Sequence, residues 1–432
     1  MRRASLHFHA GQVYVSWITH YSLMDMSETY ELTLTTLTYG GHALGRLPDS
    51  RYVFVPFGLP GDRVRVRLTE AKPGFARGEI LEILQASPER ITPRCRHFGQ
   101  CGGCHYQHMA YETQLKVKAD ILRDQLRRIG RIENPPVQPA VASSSSWNYR
   151  NHIQFHLDDR GKLGFQAAAS NRVIPISECH LPETTINSVW PQLEFESYGE
   201  IGRVALRAGT EDDLMLILDS NSPKAPDLEI ETDISVVHVF EDHAVILAGS
   251  NRITMEILGR KFRVSPNSFF QVNTVMAGKM VQHLIERLPI SRSVILDVYC
   301  GVGLFSAFLA PKCQQVIGIE SSPSACDDFT INLDEFDNVE LYEDLAESVL
   351  PVLKIKPDIV LVDPPRAGVQ KGALNAILKM KPKIIAYVSC DPATLARDAA
   401  GLIDNGYKLL DVTPFDFFPQ TYHIESVSFF ER

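Results

Sequence analysis

Long apolar runs are missing. No stretch of the 432 residues approaches the ~18 consecutive apolar residues that cross a bilayer, so the expectation is a soluble, cytoplasmic protein without membrane contact. Cysteine is scarce, eight residues in all, which argues against a disulfide framework and for an intracellular chain. A strong excess of charge is also missing: the formal net charge is −9, so bulk electrostatics do not announce a nucleic-acid binder. Acidic residues are absent from 1–24, with Arg2 and Arg3 near the start. That segment reads as an upstream start-site extension, Met24 or Met26 being the start, or as an acid-poor transit peptide; 1–26 is set aside. What is present is ordinary globular composition, 44% hydrophobic and 22% charged, at a length that suits two or three domains. Charge is uneven within it. Residues 91–174 carry 12 Lys/Arg against 6 Asp/Glu, a basic segment on an acidic chain that could face a polyanion.

Short strands and turns fill Tyr30 to Leu84. Arg63-Val64-Arg65-Val66-Arg67-Leu68 alternates strictly, and five short strands in this span predict a small OB-like barrel. Its charges balance, so the arginine row could be a solvated face. Residues 111–130 predict a basic amphipathic helix, with Leu115, Ala119, Leu122 and Leu126 at helical spacing and Gly130 as the stop. A β-rich region follows to about Arg263, with a hairpin turn at Asp158–Lys162. From Val294 the text alternates strand and helix, predicting a doubly wound parallel sheet whose ligands bind beyond the carboxyl ends of its strands.

The chemistry-bearing residues fall at those ends. Tyr299-Cys300-Gly301-Val302-Gly303 is a glycine-bearing turn between strand and helix, where backbone can approach a nucleoside. It lacks the three-glycine dinucleotide spacing, which disfavours NAD. Glu320 ends the next strand, where ribose hydroxyls would sit. Asp363 and Cys390 end two further strands. Cys390 precedes a helix opened by Asp391 and Pro392, a position expected to lower a thiol pKa and favour a nucleophile. These motifs fit methyl transfer, so the inferred ligand is S-adenosylmethionine. Cys300, Cys313 and Cys326 read as packing residues.

Five motifs in order carry a resemblance: Cys95-x5-Cys101-Gly102-Gly103-Cys104, Phe270-Gln271 before Asn273, Asp363-Pro364-Pro365-Arg366, Ser389-Cys390-Asp391-Pro392 and His423-Ile424-Glu425-Ser426-Val427. The sequence resembles the RNA uracil-5-methyltransferase family, most closely its iron–sulfur branch that modifies 23S ribosomal RNA. Residues 27–86, with Gly40-Gly41 and Val55-Pro56-Phe57-Gly58-Leu59-Pro60-Gly61-Asp62, resemble the TRAM domain, a small RNA-binding barrel. The implied organisation is that barrel at 27–86, a central β-rich iron–sulfur domain at 90–263 and a Rossmann-like methyltransferase domain at 264–432. It makes Cys390 the nucleophile and Glu425 the base, in a monomer acting on RNA. Gln271, Tyr299, Gly301, Glu320, Asp344 and Asp363 are placed at the cofactor or target base. Leu304 departs from the asparagine common at its position.

Cys95, Cys101 and Cys104 crowd into ten residues, which reads as metal ligation, and Cys179 is the matching fourth thiol. Spacing alone leans towards zinc; the resemblance implies a [4Fe-4S] cluster instead. The spacing is not the C-x3-C-x2-C of radical enzymes. Three alternatives stay open: a tRNA thymine-loop methyltransferase, an amino-group methyltransferase, and a non-catalytic RNA-binding protein.

Overall fold

Strict alternation of arginine with branched apolar residues shapes the first sheet. In the computed structural model, which describes residues 5–9, 12–16, 29–195, 201–211, 213–226, 229, 234–241 and 243–432, strand Arg63–Ala71 buries Val64, Val66 and Leu68. Six strands form this sheet, in the order Thr29–Thr33, Arg63–Ala71, Phe75–Gln85, Tyr52–Pro56, His42–Arg46, Thr36–Leu37. The sixth is a two-residue strand that sequence pattern did not separate. Inside lie Ala43, Val53, Val55 and Ala76, all inaccessible. Buried Asp62 ties loop to strand end, its carboxylate accepting from the Leu59 and Ser87 amides at 2.7 and 2.8 Å. Gly58 packs closely on Leu34, so a Cβ there, 2.2 Å from Leu34 Cδ1, would force that side chain to move. Of the extension expected at 1–26, Ser5–His9 and Gln12–Ser16 pair as an antiparallel hairpin; the remainder lies outside the described residues.

The chain clusters into two units. One holds the described residues up to Leu37 with His42–Pro88; the other holds Thr38–Gly41 with Glu89–Arg432. The larger unit contains two seven-stranded sheets. Its first runs Val173–Pro175, Leu163–Gln166, His152–Leu157, Ile201–Ala208, Leu214–Ser220, Ser235–Phe240, His243–Ala248. The expected turn at Asp158–Lys162 closes the Leu157/Leu163 hairpin there.

The second sheet is the one expected from Val294 onward. Its strands are β1 Val294–Val298, β2 Gln315–Glu320, β3 Val339–Glu343, β4 Ile359–Val362, β5 Ile384–Ser389, β6 Lys408–Phe415 and β7 Glu425–Glu431. Their order is 3-2-1-4-5-7-6, parallel through β5, with β7 antiparallel between β5 and β6. Ile295, Leu296, Val360 and Leu361 are inaccessible, as strands covered on both faces require. One core crosses the boundary drawn at 263/264: Met215, Ile217 and Val237 of the first sheet pack in the same cluster as Met276, Ile295 and Phe429.

Helix Tyr111–Arg128 forms as expected and packs on helix Pro392–Asp404. Gly130 ends it, since a Cβ there would lie 2.6 Å from Leu126 O. Its buried face holds more than the apolar stripe. Gln114 and Lys118 are buried too. Gln114 Nε2 donates to Gln420 Oε1 at 3.0 Å, and Gln420 N donates back to Gln114 Oε1 at 2.9 Å. Lys118 Nζ donates to Asp416 Oδ1 at 2.6 Å and to Phe418 O at 2.9 Å, with the two side chains 2% and 0% exposed. Removing one partner of such a pair leaves an uncompensated buried charge. Lys118→Met is therefore expected to cost about 3–5 kcal/mol in urea unfolding, and adding Asp416→Leu should recover part of it. A double variant no more stable than Lys118→Met would contradict this account of the pair.

Candidate active site

Parallel strands end together, so residues following β1, β2, β4 and β5 share one cleft. Val298 is in register with Ile319 on one side and Val362 on the other, which sets Tyr299, Glu320 and Asp363 along one edge. Ser389 pairs with Ser426 across the antiparallel β5–β7 ladder. The next step outward faces Cys390 with Glu425, residues 35 positions apart in the chain.

The turn after β1 is built for close approach. Tyr299 adopts left-handed backbone, φ 67°, uncommon for an aromatic residue and held because its N–H and that of Cys300 both donate to Ile319 O at 2.9 and 3.1 Å. Gly301 follows at φ 54°; a Cβ there would meet nothing within 4 Å, so this turn opens onto free space. Gly303 is required for packing instead, its Cβ position lying 2.3 Å from Leu333 Cδ1. Glu320 accepts three backbone N–H groups: Gly301 on Oε2 at 2.9 Å, and Ser321 and Ser322 on Oε1 at 2.8 Å each. Those donors fix the carboxylate at the strand end and leave acceptor capacity for a ribose hydroxyl.

Acidic groups crowd the floor. Asp297, fully buried, accepts the Ser306 hydroxyl at 2.6 Å on Oδ2, while Oδ1 has no hydrogen-bond partner among the described residues. Burial pushes it up to about 6. Burial, then Asp297, pushes Asp363 up to about 7. Glu425 is raised well above the usual carboxylate range by burial and then Asp363, against the opposing charges of Arg366 and Lys118.

Cys390 requires a correction. Its helix N-terminus is present: Asp391 Oδ1 accepts from the Ala393 and Thr394 amides at 2.9 Å each. The thiol is nevertheless pushed up to about 12, by burial first and then by Glu425 and Asp363, with Arg366 opposing. The helix's free N–H groups are spent on Asp391, and a desolvated site ringed by carboxylates outweighs what remains of the dipole. The resting thiol is protonated.

Two expected residues lie at the borders. Asp344 is exposed just past β3, where its Oδ1 accepts from the adjacent Leu345 amide at 2.6 Å. Gln271 precedes helix Thr274–Arg287 and is placed through its backbone, its carbonyl accepting from Asn151 Nδ2 at 3.0 Å. Sequence reading gave no role to Asp297, Arg366 or Lys118, although Arg366 stands inside a motif it singled out. Tyr39 carried no signal at all. Its hydroxyl donates to Asp391 Oδ2 at 2.8 Å, and its ring meets Tyr422 edge-on at 5.7 Å. Tyr422 in turn contacts His105 and His423, each at 4.5 Å. His423 is lowered to about 3, by burial and then Arg366, so it is a neutral hydrogen-bonding residue.

The four expected thiols lie within one another's electrostatic reach. Cys104 is raised above its ordinary value by burial, with Cys179, Cys101 and Cys95 adding to the rise. Cys179 is pushed up to about 12 by burial, with Cys101 and Cys95 adding. The Gly103 amide approaches Cys101 Sγ at 3.4 Å, and the Cys95 amide donates to Gln107 Oε1 at 3.0 Å. Among the described residues, no three His, Cys, Asp or Glu side chains close around a single metal ion.

Comparison with known proteins decides the family. The model of the tRNA (uracil-5-)-methyltransferase family matches residues 231–432, and that of the TRAM domain matches 27–81. An uncharacterized RNA methyltransferase of Halalkalibacterium halodurans is 34% identical over 94% of this chain and 98% of its own length. The chain belongs to the RNA uracil-5-methyltransferase family. A second relative, an uncharacterized RNA methyltransferase of Caldanaerobacter subterraneus, is also 34% identical, over 95% of this chain and 99% of its own. Among solved structures, the Pyrococcus abyssi tRNA (uracil-54, C5)-methyltransferase in complex with S-adenosyl-L-homocysteine matches at a TM-score of 0.72 and 25% identity, covering 92% of this chain and 99% of that one. As a member of this family the protein is an S-adenosylmethionine-dependent RNA methyltransferase. No helix among the described residues is long and apolar enough to cross a membrane.

The raised carboxyls predict a pH dependence of folding. Folded Asp363 holds its proton up to about pH 7, whereas the unfolded side chain, at an ordinary 3.8, has released it. Between those values the folded chain binds more protons, so stability falls as pH rises. Asp363→Asn should lose less stability than the parent between about pH 5 and about pH 7.5 in urea titrations. An equal loss would show that Asp363 is not a source of the slope.

Proposed function

We propose that this protein methylates carbon 5 of one uridine in 23S ribosomal RNA through a covalent adduct of Cys390 with carbon 6. The observation that carries the reading is the β5–β7 register, whose last pair is Ser389 with Ser426; Cys390 and Glu425 are the next residues outward, and Glu425 acts on the Cys390 thiol, which supports their working together. Carbon 5 of uracil is a poor nucleophile until a group adds at carbon 6. Cys390 gives up its thiol proton to solvent as it attacks, its sulfur forms that C–S bond, and the displaced electron pair becomes an enolate with nucleophilic carbon 5. Tyr299, Gly301, Glu320 and Asp363 would hold S-adenosylmethionine, whose methyl group would pass from its sulfonium to carbon 5 as the S–CH3 bond breaks and S-adenosylhomocysteine leaves. Glu425 then accepts the carbon 5 proton, the C5=C6 bond reforms and Cys390 leaves as thiolate. Arg366 opposes the local negative charge at both Cys390 and Glu425, so it favours the ionised form of each.

The first alternative, an amino-group methyltransferase, needs no cysteine nucleophile. For the RNA, 23S rRNA is favoured by the barrel together with the four-cysteine set. A tRNA thymine-loop uridine is the second reading, supported by the substrate of the Pyrococcus abyssi neighbour. Mapping 5-methyluridine in both RNAs from a deletion strain tests the choice: loss confined to tRNA would overturn the rRNA reading. We further propose that Cys95, Cys101, Cys104 and Cys179 hold a [4Fe-4S] cluster, with zinc the lesser candidate. All four thiols are raised by burial, and Cys101, Cys104 and Cys179 also by neighbouring cysteines, so the set needs a compensating cationic group to ionise together. Anaerobic purification is expected to give a brown, air-sensitive protein whose iron is lost on replacing Cys104 by serine. Zinc without iron would refute the cluster.

Glutamine keeps the shape of glutamate and cannot accept a proton. Glu425→Gln should therefore accumulate a methylated RNA–protein adduct that survives denaturing electrophoresis, while Cys390→Ala forms neither adduct nor product. Normal turnover by Glu425→Gln without adduct would assign the base elsewhere.

A further inference from the structure

The barrel carries two different polar faces, and only one holds more cations than carboxylates. The row of Arg63, Arg65 and Arg67 is neutralised. Arg63 pairs with Glu31 at 2.9 Å, Arg65 with Glu31 at 3.1 Å and also with Glu82, and Arg67 with Glu79. Three arginines meet three glutamates, and a phosphate approaching this row would have to displace an existing partner from each.

Across the same sheet the pattern changes. Tyr52 stands opposite Arg46 on one neighbouring strand and opposite Phe75 on the other; Phe54 stands opposite Leu44 and Arg77. Phe54 meets Phe75 edge-on at 5.8 Å. Arg46 lies over the Tyr52 ring at 5.8 Å, while Lys72 and Arg77 lie over Phe75 at 5.4 and 5.9 Å. Tyr52 is 50% exposed, a large ring left open to solvent. Charge is in excess here: Lys72 and Arg77 share a single carboxylate, Glu70, and Arg46 has no carboxylate partner among the described residues.

We infer that the Tyr52–Phe75 face, with Arg46, Lys72 and Arg77 around it, is the barrel's docking surface for a single-stranded segment of the substrate RNA. The inference rests on the proposed RNA substrate. Its content is the choice of face: bases stack on the open rings, which every base can do, and phosphates meet the surplus cations. The ion-paired row contributes folding contacts and little binding.

The test uses the full chain and a fluorescein-labelled polyuridylate oligonucleotide. Tyr52→Ala and Phe75→Leu, the latter keeping apolar volume without an aromatic face, should each weaken binding about tenfold. Arg46→Gln should reduce the slope of log affinity against log salt by about one. Replacing Arg63, Arg65 and Arg67 together by glutamine should change affinity less than about twofold, since those charges are already paired. S-adenosylmethionine binding and the thermal transition serve as folding controls. Face variants that keep both controls and bind RNA like the parent would overturn the choice of face, as would loss on the arginine-row triple variant alone. Failure of the parent itself to bind the oligonucleotide would overturn the RNA reading beneath it, and with it this one.

Discussion

Acidic groups at the carboxyl end of the catalytic sheet are held where water is scarce, and each makes its neighbours harder to ionise. Asp297 raises Asp363, Asp363 raises Glu425, and both Asp363 and Glu425 raise the Cys390 thiol. A chain of mutual repulsion of this kind is unfavourable for folding and persists only where surrounding structure over-determines it. Each of these groups is thereby biased towards its neutral form, and positive charge entering the site would oppose that bias. The methyl donor of this family carries such a charge on its sulfonium, and Arg366 stands beside Cys390 and Glu425.

The over-determination comes from segments far away in sequence. The link between β6 and β7, which delivers Glu425, is held by buried polar contacts on several sides. Lys118 and Gln114 of one helix bind Asp416, Phe418 and Gln420. The amides of His105 and Tyr106, just after Cys104, both donate to Gln420 O at 2.8 and 3.0 Å, and the Tyr149 hydroxyl donates to Pro419 O at 3.0 Å. The cysteine segment and the amphipathic helix thus meet on the loop that leads to Glu425. Gln114, Lys118 and Tyr106 are buried for this reason, and an apolar-spacing argument along the helix could not find them.

Much of the architecture was legible because it rests on local periodicity. Arg63–Leu68 alternates with period two, helix Tyr111–Arg128 follows its apolar spacing, and four strands from Val294 onward stand where continuous Val/Ile/Leu runs place them. The strand-end residues Tyr299, Gly301, Glu320, Asp363 and Cys390 were equally legible, since topology alone puts such positions in one cleft. Pairings that cross hundreds of residues were not. Tyr39 and Asp391 are 352 positions apart, and Lys118 and Asp416 are 298 apart; nothing in either member's own window points to its partner.

The thiol of Cys390 shows where a local rule gives way to a global quantity. Everything visible near Cys390 in sequence, an aspartate cap and a proline at the first turn, favours a helix N-terminus and hence a thiolate. That helix forms as expected. Yet a dipole's effect fades within one turn and is satisfied first by the capping carboxylate, whereas desolvation depends on every atom packed nearby. Two of the carboxylates that act on that sulfur arrive from other strands, Asp363 after β4 and Glu425 at the start of β7. The sign of the shift therefore belongs to the tertiary structure.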